Sequence, residues 1–189
     1  MPLAGKRIIV TGAATGIGRA TALEVASRGA QVAAFDVNDG AGSDVVDAII
    51  GAGGTARYWH VDVSVEAEVQ ASVAAATDWL GGGPDVLLHL AGVLQGAWVD
   101  IADFPETTWD QVMDINLKSM VLTSRAAAPF MQTSGGGAMV HFSTIQWMRG
   151  DLKPQDAYQA SKAAVCAVSR SLAMQLAGDG IRSNTICPG

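Results

Sequence analysis

Apolar positions along the 189-residue chain fall into two alternating kinds of segment. Short apolar runs occur as RIIVTG, QVAAFD, ARYWHVD, DVLLHLAG, AMVHFST and IRSNTICPG. Between them lie longer, alanine-rich stretches with helical patterning, over 17–28, 41–50, 65–80, 106–131 and 157–176. The β-α order repeats without a break, which predicts a parallel sheet with helices on both faces. The short runs are apolar on both faces, as strands covered on both sides should be. Glycine-rich joints such as GAGGT, GGGP and SGGGA separate the elements and read as turns, not linkers. The expectation is one α/β domain over 1–189, with a doubly wound parallel sheet. Ligands of such sheets bind outside the carboxyl ends of the strands. Gly12, Asp36, Asp62, Gly92, the Ser143–Thr144 pair and Pro188 stand at those ends.

Composition narrows the function classes. Hydrophobic residues make up 49% and charged residues 16%, the balance of a well-buried globule. A net charge of −6 with no basic cluster excludes nucleic acid as the main partner. No apolar run reaches transmembrane length, and the apolar stretch in MPLAGKRIIVTG is too short for a signal peptide. Cys166 and Cys187 are far apart in sequence and form neither a disulfide framework nor a metal motif. The expectation is a soluble, cytoplasmic protein without a metal or a membrane partner.

Candidate chemistry begins at TGAATGIGRA, after the first strand. Gly12, Gly16 and Gly18 permit a tight turn and a close backbone approach to a pyrophosphate. Thr15 and Ile17 lie in the same turn, where the following helix offers free N–H groups. Alone, the motif is equally explained by close helix packing. Asp36, at the end of the second strand, stands at the interval expected for an acid that accepts both hydroxyls of an adenosine ribose. Its charge repels a 2′-phosphate, and Val37 follows where a phosphate site needs a base. This favours NAD over NADP, with Arg19 as the counter-argument. Tyr158 and Lys162 in YQASK are four residues apart on one helix face. An ammonium there would lower the phenol pKa and fit the tyrosine for proton transfer. By itself the pair is equally an ordinary helix surface.

In order along the chain, TGAATGIG, VDVS, LAG, WDQVMDINL, FST, YQASK and IRSNTICPG resemble the short-chain dehydrogenase/reductase family in its short form. The resemblance implies a Rossmann-like fold with strand order 3-2-1-4-5-6-7. It implies Tyr158 as acid/base, Lys162 as its pKa-lowering partner and ribose ligand, and Asn116 as holder of a relay water. It places Asp62 and Val63 at the adenine, Leu90, Ala91 and Gly92 beside the adenosine ribose, and Pro188 and Gly189 near the nicotinamide. It also implies a homo-oligomer, a tetramer or dimer, paired through the two long helices.

Three departures stand out. HLAG replaces the family's Asn-Asn-Ala-Gly, so His89 and Leu90 replace both asparagines. The side-chain hydrogen bonds that brace the sheet there are expected to be lost, with His89 filling a structural slot. The chain stops before a seventh strand and a substrate lid, so more chain is expected beyond Gly189. Family register puts the carbonyl-polarising hydroxyl at Thr144, with Ser143 as runner-up because the following loop is longer than usual. That loop is expected to border the substrate, with Gln146, Trp147, Met148 and Arg149 as candidate pocket residues, together with Leu94, Gln95 and Trp98. Trp147 and Met148 point to an apolar or cyclic substrate, while Gln95 and Gln146 could orient a polar group. The leading expectation is an NAD-dependent oxidoreductase of small-molecule secondary alcohols or ketones. The alternatives are a non-catalytic NAD-binding sensor or scaffold, and an NADP-dependent reductase.

Overall fold

A computed structural model describes residues 3–149 and 152–189. Met1 and Pro2 of the amino-terminal reading, and Gly150 and Asp151 of the substrate-side loop, lie outside the described residues. The strands are β1 (Arg7–Thr11), β2 (Gln31–Asp36), β3 (Thr55–His60), β4 (Val86–His89), β5 (Gly137–Phe142) and β6 (Ile181–Ile186). The helices are α1 (Gly16–Ser27), α2 (Asp39–Gly51), α3 (Glu66–Leu80), α4 (Glu106–Met113), α5 (Ser119–Thr133) and α6 (Asp156–Leu176). All strand pairs are parallel, in the order β3-β2-β1-β4-β5-β6. This is the expected doubly wound sheet, with the order reversing between β1 and β4.

Side-chain alternation divides the core between the two faces of the sheet. Ile9, Ala33, Phe35, Leu87, Met139 and Ile181 pack with Val69, Val73 and Met131 of α3 and α5. Ile8, Val10, Val32 and Ala34 pack with Ala22, Ala26, Val45 and Ile49 of α1 and α2. Each central strand therefore feeds both cores, which is why its sequence shows no polar face.

The expected single helix over 106–131 is divided. α4 passes into a π turn, Asp114–Lys118, before α5 begins. The π turn carries Asn116, which is fully buried, and inserted turns of this kind favour functional positions. β5 ends at Phe142, so Ser143 and Thr144 lie just past the strand they were expected to close.

Candidate active site

The chain leaves β1 through Gly12 at φ +66°, a left-handed conformation. A side chain at Gly12 would also meet the Ala91 backbone nitrogen at 2.8 Å, and one at Gly18 would overlap the Gly12 carbonyl. Thr15 precedes α1 with extended dihedrals, and its side chain caps nothing. The first-turn N–H groups of α1 therefore remain available to an anion. Asp36 is held against this loop. Its Oδ2 accepts from the Ala14 N–H at 2.9 Å and its Oδ1 from the Asn38 N–H at 3.0 Å. Val37 and Arg19 are exposed.

Gly12, Thr15, Gly18, Asp36, Asp62, Val63, Leu90, Ala91 and Gly92 line one cavity of about 710 Å³. His60, Glu68, Gln111 and Ile115 also line it. Open amide donors at one part and a fixed carboxylate at another suit the pyrophosphate and ribose diol of a dinucleotide. Asp62 itself closes a local turn, accepting from the Ser64 N–H and hydroxyl at 2.9 and 2.6 Å.

Leu90, Gly92 and Val93 also border a smaller cavity of about 190 Å³, with Ile17, Phe142, Ser143, Tyr158, Lys162 and Pro188. The two cavities share Leu90, Gly92 and Val93 and so adjoin in a cleft at the carboxyl end of the sheet. A further cavity of about 410 Å³ lies between α1 and α2 at the opposite end, and no titratable side chain lines it.

Tyr158 and Lys162 share a face of α6, with the Lys162 Nζ 5.8 Å from the phenol ring centroid. Nζ donates to the Phe142 carbonyl at 2.9 Å. Burial pulls its pKa down from the ordinary 10.5 to about 8. The sequence leads one to expect a lowered Tyr158 pKa. In the protein alone the opposite holds: burial raises it, because the ammonium is turned to a backbone carbonyl and lies well off the phenol.

The two neighbouring hydroxyls have different tasks. Ser143 borders the cleft, but its hydroxyl donates to the Lys162 carbonyl at 2.7 Å. Thr144 accepts from the Gln146 N–H at 3.3 Å, which leaves its own hydrogen to donate. Thr144 remains extended, with φ −156° and ψ 157°. Alternation puts Thr144 on the side of Phe142 and Ser143 on the side of α6, yet Ser143 borders the smaller cavity and Thr144 is not among the residues bordering either cavity.

Asn116 stands behind the cleft. Its Oδ1 accepts from the Val93 N–H at 2.7 Å, and its Nδ2 donates to the Val93 carbonyl at 2.9 Å and to Ser161 at 3.1 Å. His89 overturns the expectation that the bracing bonds at HLAG are lost. Its ring lies within 3.1–3.2 Å of hydroxyls from Thr11, Ser119 and Thr123. A histidine thus rebuilds with two ring nitrogens what an asparagine does with one amide.

Gln95, Gln146 and Trp147 are not among the residues bordering either cavity. Gln95 is exposed, Gln146 and Trp147 are half-buried, and Leu94 does reach the smaller cavity. Met148 and Trp98 are exposed nearby. Pro188 borders the cleft and its carbonyl accepts from Ile145 at 3.0 Å; Gly189 lies past it. Sequence reasoning also passed over the cysteines: Cys166 and Cys187 are free thiols only 3.8 Å apart, joining α6 to the segment after β6. No one-dimensional spacing marks that contact.

A family model described as enoyl-(acyl carrier protein) reductase matches residues 12–189. An uncharacterized oxidoreductase of Thermotoga maritima is 34% identical over 189 residues, covering all of this chain and 73% of that protein. The 3beta-hydroxysteroid dehydrogenase of Mediterraneibacter gnavus is 39% identical, covering 97% of this chain and 65% of that protein. The crystal structure of a short-chain type dehydrogenase/reductase from Mycobacterium marinum superposes with a TM-score of 0.94 at 34% identity, covering 99% of this chain and 75% of that one. The chain thus spans about two thirds to three quarters of these relatives. On the family model over 12–189, these identities and this superposition, the chain belongs to the short-chain dehydrogenase/reductase family of oxidoreductases.

Proposed function

We propose that the protein transfers hydride between NAD(H) and a secondary alcohol or ketone. One observation carries this reading: Tyr158, Lys162 and Ser143 border a small cavity that shares Leu90, Gly92 and Val93 with the larger one bordered by Gly12 and Asp36. A nicotinamide dinucleotide, when bound, supplies the hydride acceptor or donor. The first turn of α1, with Gly16 and Ile17, holds its pyrophosphate. Asp36 takes the ribose diol, which makes NAD the preferred form over NADP. Asp62 and Val63 border the adenine, 90–92 the adenosine ribose, and Pro188 with Gly189 the nicotinamide.

Tyr158 moves the proton at the substrate oxygen, and Thr144 donates a hydrogen bond to that oxygen. Lys162 favours the phenolate once substrate and dinucleotide exclude water from between the two groups. Asn116 holds the Val93 backbone in place and orients a relay water behind Lys162. Leu94, with the exposed Trp98 and Met148 nearby, favours an apolar, cyclic alcohol. The hydroxysteroid dehydrogenase named among the relatives is consistent with that class. Assembly through α5 and α6 as a homo-oligomer belongs to the same reading, and α5 exposes Val121.

The test is formation of reduced dinucleotide with a panel of cyclic secondary alcohols. Tyr158→Phe should abolish turnover and leave NAD affinity within about twofold. Tight NAD binding with no turnover across the panel would favour the sensor reading instead.

A further inference from the structure

His89 is 3% exposed, and its neighbours decide which ring nitrogen carries the hydrogen. Ser119 donates its hydroxyl to the Ile115 carbonyl, which has no hydrogen to give. Ser119 therefore turns only lone pairs toward His89 Nε2, 3.1 Å away. Nε2 donates, and Nδ1 accepts. On the other side, Thr11 Oγ1 receives the Leu90 and Ala91 N–H groups, both at 3.2 Å. Its hydrogen is left for His89 Nδ1 at 3.1 Å. Thr123 satisfies its own hydrogen on the Ser119 carbonyl at 2.8 Å. Burial, with His141 and Lys162 nearby, keeps the ring neutral, well below the ordinary histidine pKa. His141 is no substitute brace. It pairs with His89 in register, yet neither of its nitrogens has a hydrogen-bond partner among the described residues.

The bonds make a closed circuit. The segment 90–93 is pinned at its start by Thr11 and at its end by Asn116, which grips both backbone groups of Val93. Asn116 sits in the π turn beside Ile115, whose carbonyl Ser119 satisfies. His89 bridges Thr11 to Ser119 and so joins the two pins. Little slack exists between them: a side chain at Gly92 would meet Lys162 Nζ at 3.1 Å and Asn116 Oδ1 at 3.2 Å.

We propose that His89 is a positioning residue that locks the cofactor-side segment 90–93 and the π turn carrying Asn116 into one unit, through the directed chain Thr11–His89–Ser119–Ile115. For its catalytic meaning this rests on the function proposed above. The geometric part stands without it.

Amide exchange in the ligand-free protein tests that part. Ser119 makes no hydrogen bond to 90–93 and lines neither cavity, touching the cleft wall only through the Ile115 carbonyl, yet Ser119→Ala should speed exchange at Leu90 and Ala91 about tenfold, as loss of a linked hydrogen bond would. With NAD and an active alcohol, the same variant should raise KM for NAD about fivefold while kcat stays within about twofold. His89→Asn, an amide that can both donate and accept, should return exchange to within about threefold of wild type. His89→Leu should be at least as impaired as Ser119→Ala. Unchanged exchange at Leu90 and Ala91 in Ser119→Ala would overturn the proposal, as would His89→Asn behaving like His89→Leu. If His89→Leu fails to fold, the Ser119→Ala and His89→Asn arms still decide it. A wild-type protein that binds no dinucleotide would sink the function proposed above, and the exchange measurements would still decide the circuit.

Discussion

Replacing Lys162 with methionine should stabilise the ligand-free protein while destroying its activity. The side chain is 6% exposed, so its ammonium has lost nearly all its water. Its Nζ donates to the Phe142 carbonyl. Lowering its pKa from 10.5 to about 8 corresponds to about 3 kcal/mol, at about 1.4 kcal/mol per tenfold change. Methionine keeps the apolar stem and removes the charge. It leaves the Phe142 carbonyl without its partner, which costs about 1 kcal/mol. The expected net gain at pH 7 is therefore about 2 kcal/mol. The pH dependence follows from proton uptake. Between about pH 8 and pH 10.5 the unfolded chain holds this proton and the folded protein has released it, so wild-type stability rises with pH. The burial penalty is fully present below pH 8 and gone above pH 10.5. The assay is denaturant unfolding of wild type and Lys162→Met at pH 7 and pH 10, with turnover measured in parallel. The advantage of the variant should shrink between the two. A variant less stable than wild type at pH 7, or a difference that does not change with pH, would refute the reasoning.

Thr144→Val should lower turnover about a hundredfold, the effect of losing one donor to a developing oxyanion, whereas Ser143→Ala should cost about 1 kcal/mol of stability and far less turnover; the reverse order in steady-state kinetics would reassign the hydroxyl. Asp36→Ala should bring the kcat/KM ratio of NAD to NADP down by at least about tenfold, about 1.4 kcal/mol, and an unchanged ratio would remove Asp36 from the ribose site. Gly18→Ala forces its Cβ into the Gly12 carbonyl and should destabilise by about 1–3 kcal/mol with loss of dinucleotide binding, both readable from thermal unfolding with and without NAD.

The sequence alone determined the β-α alternation and the parallel sheet, and placed the strand ends to within a few residues, but not the break of the 106–131 helix at its π turn. Continuous apolar runs separated by helical spacing admit few other arrangements, and β-α crossovers in one sheet share one hand. The residues that could touch a dinucleotide or move a proton were legible for the same reason: they occupy strand ends and one helix face, which one-dimensional spacing specifies. What the sequence left open was how side chains divide their hydrogen bonds. Ser143 and Thr144 are adjacent and chemically alike, and the α6 backbone tells them apart by occupying the Ser143 hydroxyl. Lys162 was expected to act on Tyr158, and nothing in the sequence signals that in the ligand-free protein its ammonium is held by the Phe142 carbonyl and its pKa lowered by burial. His89 looked like the loss of a brace until Thr11 and Ser119, which are distant in sequence, met its two nitrogens. Bonds of this kind join residues 30 and 78 positions apart, and a pattern of neighbouring polar and apolar positions carries no record of them. Only the packed tertiary structure, where burial favours partnered polar atoms, decided how these side chains divide their hydrogen bonds.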